Sequence, residues 1–468
     1  MTPGHIDWTG IAEEYGTPTY VYDGDWLVDN FRRLRSALHP ALEVFFSLKS
    51  NPNRGVYDVL RSAGARAEVS SLAELELVLR AGTDPENIMF LGPGKSAREI
   101  ARCIDAGVYA VVCESFTELA AIDRAAEAVG RRIRVLLRIN PPFSVAGSRL
   151  TMGGKPTQFG IDEEAVLSCS PFLERLTNTD VAGIQVYLGT RILDPSVIVR
   201  NTAYVLDLAR RVKEATGIRL DAVDVGGGLG VAYFDGERDL DLAELTEGLN
   251  PLIEEFATAQ PETRLIMESG RFLVAGCGTY LVRVRYTKKS MGQSYAVVDG
   301  GTHHHMAAVG IGSFVKRNFP IAELSRGGAG EAPVESWNIA GPLCTPNDTI
   351  AKGVALRKDL EPGDLIGVRR SGAYGPTASP TLFLSHGYPG EVVVLRGRTY
   401  LVRAPDTTED ILSRQSTHAD LARAAEPPHR PALTRRHNDD EGPDRQDDDL
   451  GSRGPRGDAD ARPAGADR

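Results

Sequence analysis

"AEVSSLAELELVLRAGTDPENIMFLG" (residues 67–92) decides the fold. Residues 67–70 form a short β-rich run. Ser71 and Glu74 then predict a capping box at a helix start. Leu72, Leu75, Val78 and Leu79 fall on one helical face, and Gly82 marks the C-terminal stop. A second apolar run follows at 88–92. Outward from this unit the same alternation recurs. Eight apolar, β-rich runs, at 42–49, 67–70, 88–92, 109–114, 134–139, 181–189, 220–226 and 264–268, are separated by amphipathic stretches. Strands alternating with helices argue for parallel βα units. Eight such units close into a (β/α)8 TIM-like barrel of about 250 residues. An open doubly wound sheet is the competing α/β arrangement.

The texture changes near residue 276. "GTYLVRVRYTKK", "SYAVVDGG", "GDLIGVRRSGAY" and "GEVVVLRGRTYLVRAP" read as strands with Gly and Asp turns. This predicts a C-terminal all-β, barrel-like domain over 276–405 beside a barrel over 31–275, with residues 1–30 packing on the β domain. From about 406 the chain is polar, and from about 426 it is rich in Pro, Gly, Arg and Asp. Such a segment buries too little apolar area to offset its ordering entropy, so residues 406–468 are expected to be largely disordered.

Bulk properties exclude several classes. The chain has 468 residues and a net charge of −10, which argues against a nucleic-acid or anionic-membrane surface. Five cysteines (103, 113, 169, 277 and 344) lie apart with no CxxC, which excludes a disulfide scaffold or zinc ribbon and fits a reducing cytoplasm. The start "MTPGHIDWTG" lacks the basic and apolar regions of a secretory signal, and no apolar run is long enough to span a membrane.

Polar residues at the strand ends carry the chemistry, because barrel active sites lie at that face. "EVFFSLKSNPNRG" (43–55) runs apolar into Lys49 and breaks at Asn51-Pro52-Asn53. Lysine is seldom fully buried, so its bland reading is a strand end reaching water. Its sharper reading is an amine held to form a Schiff base with a carbonyl compound. Glu68 lies in strand 2, Arg138 ends strand 5, Tyr187 and Thr190 end strand 6, and Glu268, Gly270 and Arg271 end strand 8. Gly226, Gly227 and Gly228 in "DVGGGLG" let backbone N–H groups approach an anion where barrels often bind phosphate. The turn is not a dinucleotide fingerprint, since Val231 stands where the last glycine would be needed. An amine, a phosphate cradle and a carboxylate on three rims of one barrel match the needs of pyridoxal phosphate.

The chain resembles the pyridoxal-phosphate decarboxylases of alanine-racemase (type III) fold, the ornithine/diaminopimelate/arginine group. The resemblance covers roughly residues 15–405 and rests on "FFSLKSN", "AEVSSLAEL", "LGPGKS", "LLRINP", "QFGI", "GIQVYLGT", "DVGGGLG", "ESGRFLVA", "GPLCTPNDTI" and "GAYGPTAS" in the family's order. It implies that Lys49 links covalently to the cofactor, and that Gly226, Gly227, Gly228, Gly270, Arg271, Tyr374 and Thr190 contact its phosphate. Glu268 is implied to bond the pyridine nitrogen, with Glu68, Arg138 and Tyr187 completing the cofactor contacts. Cys344 would be the proton donor, reaching in from the partner subunit of a homodimer with shared sites. Asp348 and Tyr374 would lie near substrate. A lone Cys is otherwise usually a small buried hydrophobe.

The triplet His303-His304-His305 invites a metal reading. Adjacent residues on a strand point to alternate faces and no carboxylate lies at ligand spacing, so no metal is expected. The segment "DGGTHHHM" in this family approaches the active site, where these histidines could touch substrate.

The chain also departs from the family. Tyr187 stands where the family stacks a histidine on the pyridoxal ring, and Gln158 replaces a lysine. Thr345-Pro346 follow the cysteine where diaminopimelate decarboxylases have an acidic residue for the distal ammonium, and their arginine-and-tyrosine motif is not recognisable around 302–312. "MGGKPTQFGID" and "DGGTHHHM" look closer to the decarboxylases of natural-product pathways that act on a glutamyl group tethered to an acyl-carrier protein. The expected function is decarboxylation of a free or carrier-bound L-amino acid. The alternatives are a diaminopimelate decarboxylase and a catalytically inactive regulator of the same fold.

Overall fold

The computed structural model describes residues 6–418 apart from 143–149, 152–155, 310–316 and 326–332, together with 420, 421 and 424. The tail reading from about 426 lies outside the described residues. Eight parallel strands form the first domain: Leu42–Ser47, Arg66–Val69, Ile88–Phe90, Ala110–Cys113, Ile133–Asn140, Thr179–Gln185, Ala222–Asp224 and Arg264–Ser269. Numbered in that order, they lie 4-3-2-1-8-7-6-5, and strand 4 pairs with strand 5 through Val111–Val135 and Cys113–Leu137. The sheet therefore closes on itself, and the open-sheet alternative is excluded.

The helix of the opening stretch spans Leu72–Arg80. The Ser71 side chain caps it by accepting from Glu74 N, as expected. The return bond differs: Glu74 accepts from the backbone N–H of Ser70, one residue before the cap. Leu75 and Val78 are its fully buried face residues, and Gly82 has φ +79°, the left-handed stop that glycine takes at least cost.

Period two along the strands layers the barrel interior. One inward layer is apolar, with Phe45, Met89, Val112, Leu136, Ala222 and Ile266 in a single buried cluster. Each large apolar side chain so buried contributes about 1.5–3 kcal/mol. Two residues toward the strand ends, the inward positions of four strands turn polar: Glu114, Arg138, Asp224 and Glu268. The apolar layer seals one end of the barrel, so these polar groups form the floor of a site open at the other.

The second domain is one branched nine-stranded sheet. The N-terminal strand Thr19–Asp23 belongs to it, pairing antiparallel with Gly278–Ser290 and parallel with Gly390–Leu395. Ile11 and Ala12 pack with Val21, Leu281, Leu365 and Val394 beneath it. Helix Gly24–Ala37 runs straight through residue 30, so the change of domain falls at Asp23, whose side chain caps that helix. At the other end a capped helix, Thr408–Leu412, lies beyond residue 405. The compact unit extends to Gln415, ten residues past the expected start of the tail. Thr407 and Asp410 carry the capping-box signal that marks this helix in the sequence.

Candidate active site

A cavity of about 350 Å³ opens at the strand ends, lined among others by Lys49, Arg138, Tyr187, Thr190, Glu268 and Tyr374. That volume suits a small cofactor with a compact substrate. Lys49 sits in the one-turn helix Leu48–Ser50 just past strand 1, so its side chain leaves the strand end and enters the cavity. Its Nζ lies 3.0 Å from Glu68 Oε1 and 5.6 Å from the centroid of the Tyr187 ring. Burial would pull the Lys49 amine down, but Glu68 and Glu268 outweigh it and hold the ammonium well above its ordinary value. Tyr187 is pushed up to about 12, mainly by burial, so it presents a neutral ring.

Glu268, at the end of strand 8, is 2 % exposed and accepts from Gln185 Nε2 at 2.9 Å. Arg138 donates to Glu114 at 2.9 Å and lies over the Phe159 ring, and Glu114 also accepts from Gly160 N. Sequence reasoning missed Gln185, Glu114 and Asp224. Their signal was positional: each occupies an inward register at the end of its strand, where a purely structural barrel would carry an apolar side chain.

The glycine turn and Arg271 carry the groups that an anion would need. A Cβ on Gly227 would lie 1.9 Å from the Glu268 carbonyl oxygen, and Gly228 has φ +99°. Only glycine allows that approach and that backbone without strain. A Cβ on Gly226 would strike the Val186 carbonyl and one on Gly270 the Ser50 hydroxyl. Arg271 donates from Nη1 to Tyr233 at 3.0 Å and lies over the Tyr374 ring, while its buried Nε has no partner among the described residues. A buried guanidinium N–H with nothing to donate to, beside a side-chain-free turn, fits a phosphate.

Two expected site residues lie elsewhere. Asp348 is buried inside the β domain, and its carboxylate accepts from Thr302 N at 2.7 Å, Thr302 Oγ1 at 2.9 Å and Leu343 N at 2.7 Å. It clasps the loops at 301–305 and 341–348 together rather than facing the cavity of its own chain. Asp348→Ala would strand two buried N–H groups at about 1–3 kcal/mol each. The variant is expected to unfold in thermal scans about 2–6 kcal/mol less stable. An unchanged melting curve would contradict the clasp. Cys344, on the loop that Asp348 holds, is exposed and does not line the cavity, whereas the other four cysteines are buried.

The histidine triplet occupies a turn, not the strand assumed for it, so its rings need not alternate. All three are buried, with the His303 and His304 centroids 3.8 Å apart and His386 stacked 4.4 Å beyond His303. His304 bonds the Tyr280 hydroxyl and the Gly387 carbonyl oxygen, and His305 bonds Ser371. Burial lowers His304 to about 4 and His303 to about 3, so both are neutral at physiological pH. Among the described residues no group of three His, Cys, Asp or Glu side chains is placed to hold a metal. No helix among them is long and apolar enough to cross a membrane.

Barrel, amine, carboxylate and anion cradle together define a pyridoxal-phosphate enzyme. A family model described as "Pyridoxal-dependent decarboxylase, pyridoxal binding domain" matches residues 25–275, and the chain belongs to that family. It is 39% identical over 87% of its length, and 95% of the relative's, to the "L-glutamyl-[BtrI acyl-carrier protein] decarboxylase" of Niallia circulans. It is 30% identical over 89% of its length, and 96% of the relative's, to a diaminopimelate decarboxylase of Methanothermobacter thermautotrophicus. The crystal structure of diaminopimelate decarboxylase from Helicobacter pylori with L-lysine superposes with a TM-score of 0.77 at 26% identity, covering 87% of this chain and 98% of that one. The protein is a pyridoxal-phosphate-dependent amino-acid decarboxylase.

Proposed function

We propose that the substrate is an amino acid presented on an acyl-carrier protein, a glutamyl thioester in the first instance, rather than free diaminopimelate. The observation that carries this reading is the charge of the cavity. Its described lining residues include one carboxylate, Glu268, and Lys49 covers Glu68. Leu91, Pro93 and Phe159 supply an apolar wall, and no further acidic side chain there is free to hold a distal ammonium. A tethered substrate needs no such clamp, because the carrier supplies the binding energy. The 39% identity to a carrier-dependent glutamyl decarboxylase points the same way.

The roles of the residues follow. When bound, pyridoxal phosphate supplies an electron sink for the bond that releases carbon dioxide. Lys49 would hold the cofactor covalently through its amine, at the place the substrate amine must reach. Glu268 accepts a hydrogen bond at the pyridine nitrogen and keeps a proton there, where an arginine would not. The Gly226–Gly228 turn, Gly270 and Arg271 bind the phosphate, with Thr190 and Tyr374 beside them. Tyr187 lies against the ring. Cys344 gives its thiol proton to the α-carbon from the partner of a homodimer. The free thiols, none in a CxxC pair, support a reducing compartment, the cytoplasm.

The test is carbon dioxide release by the cofactor-loaded protein. A glutamyl thioester on a carrier protein or on pantetheine is expected to turn over. Free glutamate, lysine, ornithine, arginine and meso-diaminopimelate are expected to be inert. Turnover of meso-diaminopimelate would overturn the carrier reading and assign the diaminopimelate reaction instead.

A further inference from the structure

Three inward side chains on adjacent strands meet on the floor of the site. Gln185 and Asp224 are register partners on strands 6 and 7, and Asp224 pairs with Ile266, two residues before Glu268, on strand 8. Gln185 and Asp224 are fully buried and Glu268 is nearly so. Asp224 Oδ1 accepts from Gly226 N at 2.9 Å, and Gln185 satisfies Glu268 Oε1. The carboxyls of Asp224 and Glu268 lie within hydrogen-bond reach of each other, yet Asp224 Oδ2 has no donor among the described residues. Two carboxylates cannot bond each other without a proton. Left bare, they would set two like charges together out of water, with Glu68 a third carboxylate acting on both.

We infer that Asp224 carries a proton on Oδ2 in the resting enzyme and donates it in a hydrogen bond to Glu268, which fixes Glu268 in place and keeps it ionised. The division is set by what faces each group. Burial and the Glu68 carboxylate raise Glu268 above its ordinary value, but Lys49, the bond from Asp224 and Arg138 oppose them. Asp224 faces burial, Glu268 and Glu68, with the Gly226 N–H in favour of charge, and its carboxyl is raised well above the usual range. Asp224 is thus a positioning residue. It acts on the cofactor through Glu268 and need not touch it. The functional half of this inference rests on the role proposed for Glu268, but the position of the proton does not.

Asp224→Asn separates the two. Asparagine keeps the shape, an N–H pointing at Glu268 and a carbonyl oxygen for Gly226 N, but carries no titratable proton. The first readout needs no cofactor: infrared spectra of the apo-protein near neutral pH. The wild type is expected to show a carbonyl-stretch band of a buried, un-ionised carboxylic acid that is missing from D224N. Absence of the band in the wild type would overturn the proton assignment. The second readout is cofactor binding. D224N is expected to hold pyridoxal phosphate within about threefold of wild-type affinity and with the same visible absorption maximum, whereas D224A loses about tenfold or more. A D224N protein that fails to fold, or binds as poorly as D224A, would mean that the charge of Asp224 matters and would overturn the inference. The band with normal D224N binding but no effect of D224A would keep the proton and remove the positioning role.

Discussion

A Lys49→Ala protein will be colourless when purified with pyridoxal phosphate and will release carbon dioxide at less than about one ten-thousandth of the wild-type rate. The size of the effect follows from the cavity. Lys49 supplies its lining amine among the described residues, and Glu68 aims it at 3.0 Å. The nearest rival by sequence is Lys95, in the "LGPGKS" segment. It is committed to structure: its Nζ donates to the Gly92 and Val112 carbonyl oxygens and to Glu118, and its side chain is 1% exposed. The chemistry can be checked without turnover. Borohydride reduction of the yellow wild-type protein, followed by peptide mapping, should fix the label on Lys49. A label on Lys95, or a Lys49→Ala protein that stays yellow and reducible, would remove Lys49 from its role.

The protonation of Lys49 adds a condition to that result. Glu68 and Glu268 hold the free amine as an ammonium. An ammonium is no nucleophile, so the apo-protein must release a proton as the link forms. Removing Glu68 with Glu68→Gln takes away the nearest favourable charge and frees the amine at lower pH. The ion pair is therefore a holding state for the empty site.

How much of this was legible in the sequence varies with the physics of each feature. Barrel strands buried on both faces give continuous apolar runs, so all eight were found, with ends displaced by a few residues. Lys49, Glu268 and the glycine turn stood out because each violates local expectation: a charge at the end of an apolar run, and glycine where a strand should continue. Gln185, Glu114 and Asp224 broke no such rule to the eye. Their role depends on which inward positions meet across neighbouring strands, 39 residues apart for Gln185 and Asp224 and 44 for Asp224 and Glu268, and that register is set by barrel closure. The partners of Asp348 were not legible for a related reason: proximity to Cys344 in the sequence suggests a place near substrate but not that its carboxylate accepts from Thr302 and Leu343. The histidine triplet was read as a strand because it follows one, but the chain turns at Thr302, and the turn stacks rings that a strand would have separated.

A mixture of two inactive proteins should recover activity. Cys344→Ala alone is expected to slow product formation by about a hundredfold, the scale of losing a positioned proton donor. Co-expressed in equal amounts with Lys49→Ala, it should regain about one quarter of wild-type turnover, because random pairing makes half the dimers mixed and each mixed dimer holds one intact site. The argument is geometric. The cavity of a single chain has no thiol among its described lining residues, and Cys344 is the one exposed cysteine, held on an ordered loop by the buried Asp348 clasp. A loop braced in that way and pointed at solvent is suited to a neighbour's site and useless to its own. Leu382, Phe383 and Leu384, consecutive and each about half exposed or more, form an apolar run that a second copy would cover. The recovered activity should be lost when both substitutions sit on the same chain and are paired with themselves. If the mixture exchanges subunits, as two different affinity tags would verify, and still shows no rescue, then Cys344 serves its own chain or no site at all, and the proton must come from another group.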